Sequence, residues 1–447
     1  MSLRNAIEAR GVRLWTAGSP NPQTTPAVQR RPAFKTAIHE KLLERFDIGS
    51  LERTAPAQVR LQLKAAVEEL LAEESYALSE IERSQIVRDI QNEVLGLGPL
   101  EPLLADPSVS DILVNGSNRV YVERRGRLEL TGVHFNNDAH LLKIIERIVS
   151  RVGRRIDESS PMVDARLPDG SRVNAVIAPL ALDGPALSIR RFSAVPLAMD
   201  DLVRSDSLNQ AMASVIQALV QARTNLLVSG GTGSGKTTLL NALSASIPES
   251  ERIVTIEDAA ELRLHQAHVV RLETRPANIE GAGEVTQRAL LRNCLRMRPD
   301  RVVIGEVRGA EVLDMLQAMN TGHEGSMTTV HANTPRDALI RLENMVGMSG
   351  VPIPPQALRQ QVVAAISVVV QAARLSDGRR KIMSISEITG MDGDSVAMQE
   401  IFRFEQTGIA VDGTVQGRFR ATGIRPQFCE RLRVRGVPIA DAVFDDG

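Results

Sequence analysis

Residues 225–239 read NLLVSGGTGSGKTTL, and no other stretch restricts the fold of this chain as strongly. Leu226 to Val228 form an apolar run that enters a glycine-rich turn ending in Lys236, Thr237 and Thr238. Gly230, four further residues, Gly235, Lys236 and Thr237 complete the spacing G-x-x-x-x-G-K-[ST]. The pattern predicts a buried strand, a loop whose backbone N–H groups face inward, and a helix beginning at the lysine. Gly230, Gly231, Thr232, Gly233, Ser234, Gly235, Lys236, Thr237 and Thr238 are therefore the candidate phosphate cradle. Glycines are required because a Cβ would hold the backbone off the phosphates and exclude positive φ. Lys236 is expected to reach the β- and γ-phosphates, and the Thr237 hydroxyl to ligate Mg²⁺. The expected ligand is a nucleoside triphosphate.

A chain of 447 residues exceeds what one core holds, so about two or three domains are expected. The net charge of −1 argues against a protein held on nucleic acid or lipid by bulk charge. Cys294 and Cys429 stand alone, with no zinc or disulfide spacing, which suits reduced thiols. No apolar stretch approaches the roughly 20 residues of a membrane span. The longest, Val362 to Ala373, is interrupted by Ser367 and Gln371. The first residues lack the layout of a signal peptide. A cytoplasmic location is expected, with docking on a membrane complex.

In chain order, residues 1–35 carry Pro20, Pro22, Pro26 and Pro32 among polar residues and are expected to be disordered. Residues 36–95 read as a helical appendage, with helices Ala37–Phe46, Ala57–Glu74 and Ser79–Leu95. It is a packing cap or a docking unit; the sequence does not separate the two. Residues 96–195 read as an α+β domain: strands Val109–Val114, Val120–Glu123 and Arg127–Leu130, helix Ala139–Val152, a hairpin of Met162–Leu167 and Arg172–Ala178, and strand Leu187–Phe192. Residues 196–207 read as linker, and 208–447 as an α/β domain carrying the phosphate loop, with a C-terminal extension. From Leu208 to Met345 helix and strand alternate, the mark of a doubly wound, largely parallel sheet. Beyond residue 391 there are only short β-like runs.

Several residues outside the loop invite chemistry. Arg301 to Ile304 is a buried strand followed by Gly305 and Glu306. An acid usually ends such a strand in phosphate-loop proteins, so Glu306 serves alone or with help. Help is available from Glu257, Asp258 and Glu261, which gather at the end of another apolar strand. His323 and His331 flank the strand Met327–Val330, each readable as packing or participation. Arg288, Arg292 and Arg296 stripe one helix face, either ion-paired or presented to phosphate. Arg166 and Arg172 flank a turn and Arg190 and Arg191 end a strand; guanidinium suits phosphate, though surface pairing is the default.

With these motifs in view, residues 100–390 resemble the ATPases of type II secretion, type IV pili and type IV secretion. The chain looks most similar to the CpaF-type ATPases of tight-adherence (Flp) pili. Four motifs carry the likeness: GGTGSGKTT at 230–238, TIEDAAEL at 255–262, RVVIGEVRG at 301–309 and TGHEGSMTTVHAN at 321–333. LLRNCLRMRPDR at 290–301 and ESSPMVDARLPDGSRVNAV at 158–176 also look typical. The resemblance implies a RecA-like phosphate-loop core with a smaller α+β amino-terminal domain, assembled as a homo-hexamer, with ATP and Mg²⁺ between the domains. It implies Glu306 as the water-activating carboxylate assisted by Glu257 and Glu261. It further implies His323 and His331 as γ-phosphate sensors, and Arg166 and Arg172 reaching toward phosphate. The implied partners are inner-membrane platform proteins, at the cytoplasmic face of the inner membrane, with no nucleic acid. A nucleic-acid motor is disfavoured by one Trp and two Tyr and no basic excess. A guanine switch is disfavoured by the absence of any Asn-Lys pair.

Overall fold

The computed structural model describes residues 38, 41, 42, 56–73, 78–124, 126–167, 169–191, 197–277 and 282–445. The tail expected to be disordered lies outside these residues, as does most of helix Ala37–Phe46; Ile38, Lys41 and Leu42 are helical. The helices α1 (Pro56–Glu73) and α2 (Glu80–Leu95) bury Leu63, Val67, Leu70 and Leu71 with Val87 and Ile90, joined by Ile38 and Leu42. Ser79 starts α2 with a reciprocal cap: its hydroxyl accepts from Glu82 N at 3.3 Å and its own N–H donates to the Glu82 carboxylate at 2.9 Å.

A short helix, α3 (Glu101–Ala105), leads into β1 (Val109–Asn115), β2 (Val120–Arg124), β3 (Arg127–Leu130), α4 (Asp138–Arg151), β4 (Met162–Arg166), β5 (Arg172–Val176) and β6 (Ala186–Arg190). These six strands make one antiparallel sheet in the order β3-β2-β1-β6-β5-β4. Leu141, Ile144, Ile145, Ile148 and Val149 recur at helical spacing on α4 and share one core with Ile112, Val114, Val122 and Ile189. Arg147 of α4 donates to Glu93 O at 2.6 Å and Gly96 O at 2.8 Å, satisfying carbonyls at the end of α2. His140 Nε2 lies 2.5 Å from Glu93 Oε1. The helical unit is thus tied to this sheet domain as a cap.

The stretch expected to be linker instead contains helix α5 (Met199–Arg204), and its Met199 and Leu202 are buried in the core of the second, larger domain. Its few apolar residues among Asp and Arg hide that role from a composition reading. Then come α6 (Gln210–Gln221), β7 (Leu226–Gly230), α7 (Lys236–Ser244), β8 (Ile253–Glu257), β9 (Val269–Glu273), α8 (Gln287–Cys294), β10 (Arg301–Ile304), α9 (Glu311–Asn320), β11 (Met327–Val330), α10 (Pro335–Gly347) and α11 (Pro355–Ala365). The chain closes with β12 (Val368–Arg374), β13 (Arg380–Asp392), β14 (Ser395–Ile409), β15 (Val415–Ala421) and α12 (Phe428–Val434). The second sheet has nine strands, ordered β15-β14-β13-β12-β7-β11-β10-β8-β9. Strands β12 to β9 in that order pair in parallel, whereas β13, β14 and β15 join antiparallel. Leu226 and Val228 enter the core on one face with Met212 and Leu240; Leu227 enters the other with Leu339 and Val362. This is the three-layer α/β arrangement, in which helices cover both faces.

The apolar stretch Val362 to Ala373 is divided between the end of α11 and β12, whose first five residues are buried in a central strand covered on both faces, Val368 and Val370 on one and Val369 on the other. Among the described residues no helix is long and apolar enough to cross a membrane. Beyond residue 391 the chain forms β14, a strand of 15 residues and not a short run, paired with the 13-residue β13 that ends there. Register shifts between Ile385 and Ser386, and between Ile388 and Gly390, break the alternation that would reveal them.

Candidate nucleotide-binding site

Parallel strands deliver their C-terminal ends to one edge of the sheet, which is where open α/β sheets hold ligands. Strand β7 is buried throughout and turns at Gly230 into the glycine loop. A Cβ on Gly230 would lie 2.4 Å from both Ala372 O and Ser234 Oγ, so the turn needs glycine for space. Gly235 has φ +93°, so it needs glycine for conformation, and α7 starts at the next residue. Lys236 is buried, and its Nζ donates to Gly230 O and Gly231 O, both at 3.0 Å. Burial lowers its pKa, with nearby Glu306 opposing that shift. Ser234 is buried, Thr237 and Thr238 are half-buried at the head of α7, and Thr232 and Gly233 are exposed.

Strand β11 runs parallel to β7, with Val330 opposite Ser229. His331, the next residue, therefore lies beside the loop, its Nδ1 3.4 Å from Lys236 Nζ and its Nε2 2.7 Å from Glu306 Oε1. Burial depresses the His331 pKa, and Lys236 and Arg308 add to this, so the ring is neutral near pH 7 despite Glu306. His323 is different. It precedes β11, where Ser326 Oγ donates to its carbonyl at 2.7 Å and its own N–H bonds Ala318 O. About four residues of strand, roughly 13 Å, separate it from the loop edge. The resemblance implies two phosphate-sensing histidines; within this chain the strand carries only His331 to the loop.

Gly305 directly follows strand β10, and its carbonyl accepts from Thr329 Oγ1 at 2.8 Å. Glu306 is clamped by Arg308, which donates to its Oε2 from Nη2 at 2.6 Å and Nε at 3.0 Å. Gln287 Nε2 holds the Glu306 carbonyl at 2.9 Å. Arg308 also lies 3.3 Å from Asp258. Glu257 comes from the neighbouring strand β8 and is buried. Its Oε1 accepts from Glu261 N at 2.8 Å and Leu262 N at 2.9 Å, while its Oε2 has no protein partner. Burial pushes its pKa up to about 7, which poises it between acid and base at neutral pH. The space beside Gly305 is filled by Glu257: a Cβ there would stand 2.9 Å from Glu257 Cγ and 3.3 Å from Oε1. The acid missing from the end of β10 is thus supplied by β8. Gly305→Ala is expected to displace Glu257 from its two N–H donors, destabilising the fold by about 1–3 kcal/mol. A denaturant melt and a phosphate-release assay check this; unchanged stability and turnover would mean Glu257 moves aside freely.

The amino-terminal domain reaches this edge too. Arg166 Nη1 donates to Glu273 at 2.6 Å and Nη2 to Ala260 O, while Arg172 Nη1 bonds Glu261 at 3.4 Å. Both arginines therefore hold the acidic loop after β8 rather than the glycine loop. Other basic candidates take the bland role. Arg288 and Arg292 converge on buried Asp314 at 2.6 and 2.7 Å, and Arg296 donates to Arg292 O. Arg190 pairs with Asp111, and Arg191 bonds Asp106 O and Val109 O. Sequence reasoning missed Arg308, although it lies two residues past Glu306; it also missed Arg374 and Arg380, which border Gly233 and carry no local signal.

The model of the family described as type II/IV secretion system protein matches residues 93–419. That of the type II secretion system protein E N-terminal domain matches residues 32–95, so the helical unit outside the motif-bearing region has a family match of its own. A putative conjugal transfer protein of Mycobacterium tuberculosis is 40% identical over 313 residues, 69% of this chain and 88% of that protein. Conjugal transfer protein TrbB of Rhizobium radiobacter is 34% identical over 294 residues, 65% of this chain and 86% of the relative. The type IV secretion system protein VirB11 of Brucella suis is 32% identical over 301 residues, 61% and 83% of the two chains. Because the family match spans both domains and every motif at this edge, the chain belongs to the type II/IV secretion system ATPases, enzymes that bind and hydrolyse ATP.

Proposed function

We propose that this chain is the hexameric motor of a tight-adherence (Flp) pilus, of CpaF type, working on inner-membrane platform proteins from the cytoplasmic face. Its observational support is the bridge from Arg166 and Arg172 to the loop carrying Glu261 and following Glu257, because it joins the hydrolytic acids to the other domain. The motif set 230–238, 255–262, 301–309 and 321–333 supports the narrower pilus reading.

When the triphosphate enters, Lys236 exchanges the Gly230 and Gly231 carbonyls for β- and γ-oxygens, a stronger charge-assisted contact. Glu306 leaves Arg308, orients a water in line with the γ-phosphorus and takes its proton. Neutral His331 donates toward the γ-phosphate, and Arg308 is freed to meet the charge that develops there. ATP and water give ADP and phosphate. Mg²⁺ suits the donor set: the Thr237 hydroxyl and phosphate oxygens would hold the ion, and the buried Oε2 of Glu257, which has no protein partner, would be an acceptor for a water bound to it. When bound, it would neutralise charge on the β- and γ-oxygens. Loss of the γ-phosphate would relax the acidic loop and, through Arg166 and Arg172, move the amino-terminal domain as a body.

The discriminating experiment is steady-state ATPase with reconstituted platform protein in vesicles, with vesicles alone, or with single- or double-stranded DNA. Stimulation by several-fold with platform protein is the expected result, with ATP preferred to GTP. Stimulation by DNA alone would make the chain a nucleic-acid motor instead.

A further inference from the structure

The edge of the phosphate loop away from Glu306 is lined by two arginines that have no place in the hydrolytic step. Strand β12 pairs in parallel with β7 as far as Ala372 and Gly230, so Arg374 projects just past the point where the loop begins. Arg380, at the start of β13, pairs with it across the hairpin. Arg380 Nε donates to Gly233 O at 2.9 Å. Both guanidiniums also reach one carboxylate of the amino-terminal domain, Glu123 on β2: Arg374 Nη1 lies 3.5 Å from Oε2 and Arg380 Nη2 3.6 Å from Oε1. Arg374 Nη2 donates to Gly126 O, and the two turns meet so closely that a Cβ on Gly126 would stand 2.8 Å from Gly378 O.

Two cations thus share one anion, next to a loop built for more. Strand order fixes which part of the nucleotide they face. Lys236, His331 and Glu306 mark the γ end, toward β11 and β10, so the triphosphate leaves toward β12 with its α-phosphate and ribose. We propose that Arg374 and Arg380 receive the α-phosphate end of the nucleotide, and that Glu123 is the anion they release when it arrives. The end of β2 is then held on the loop by Glu123 without nucleotide and let go by nucleotide binding itself, a local signal separate from the one Arg166 and Arg172 carry while they keep the domain on the acidic loop. The handover rests on the nucleotide site proposed above, but not on the pilus role.

A fork-shaped guanidinium exchanges one carboxylate for one phosphate with little reorganisation, and the polyphosphate as a whole carries the greater charge, since the singly charged α-phosphate is followed at once by the β-phosphate. Opposite signs are therefore expected for the two partners. In titrations of fluorescent ADP, Arg380→Ala and Arg374→Ala are expected to weaken binding roughly tenfold each. Glu123→Gln, which removes the competitor and keeps the shape, is expected to tighten it several-fold. Amide exchange over residues 120–126 should rise when ADP is added to the wild type and should already be raised in Glu123→Gln. If the cluster were only a latch between domains, Glu123→Gln and Arg380→Ala would move ADP affinity in the same direction, and that result overturns the proposal. Unchanged affinity in all three variants overturns it as well. Wild-type protein that binds no ADP would overturn the nucleotide site and the handover together.

Discussion

Glu306→Gln is expected to lower steady-state ATP turnover by about 10³-fold while ADP affinity stays within a few-fold of wild type. The amide keeps the size and position of the side chain but takes no proton from water. It also binds Arg308 less strongly than the carboxylate that now accepts from Nε and Nη2. Arg308 is not left stranded, because Asp258 lies 3.3 Å away. The fold should therefore survive, and the loss should fall on kcat rather than KM. Phosphate release and ADP titration on the same preparation check this. Turnover left intact would move the base to Glu257, whose pKa of about 7 also fits that task.

Lys236→Ala is expected to weaken nucleotide binding by at least about 100-fold and to bring hydrolysis to background. The reason lies in what the ammonium does in each state. Without nucleotide it is a buried cation held by two carbonyls and a neutral ring, and burial lowers its pKa. Removing it abolishes a desolvated charge, so the melting temperature should fall little or rise. In the proposed nucleotide complex it faces the β- and γ-oxygens, so its loss would leave them uncompensated. A melt combined with ADP titration separates the two; tight binding retained by a folded variant would mean that the glycine loop is not the site.

The parts of the molecule legible in the sequence are those where one local rule decides. The loop from Gly230 to Thr238 is fixed by positive φ and close approach, needs that only glycine meets, so spacing alone reveals it. Strands β7, β8 and β10 read as apolar runs because helices cover both faces. Strands β13 and β14 are not legible because bulges break their alternation and polar side chains go inward with partners supplied from elsewhere. Lys381, for example, is buried where it donates to Asp206 Oδ2 at 2.5 Å, and Glu387 is buried where it accepts from Gln427 N and Phe428 N. Contacts between domains are hidden for a related reason. Arg374 reaches Glu123 across 251 positions, and no window of sequence holds both. His323 and His331 look equivalent in the motif, yet the strand between them sends one to the loop edge and the other to the opposite edge.

The most direct test is a structure of the assembled particle with Mg²⁺ and a non-hydrolysable ATP analogue. The expected result is a six-membered ring in which Lys236 has left Gly230 and Gly231 for the phosphates, and Glu306 has left Arg308 for a water in line with the γ-phosphorus. Nucleotide seated on the loop with Glu306 still clamped by Arg308, and with Glu257 turned away from the metal's water shell, would contradict the proposal that these two acids drive the reaction.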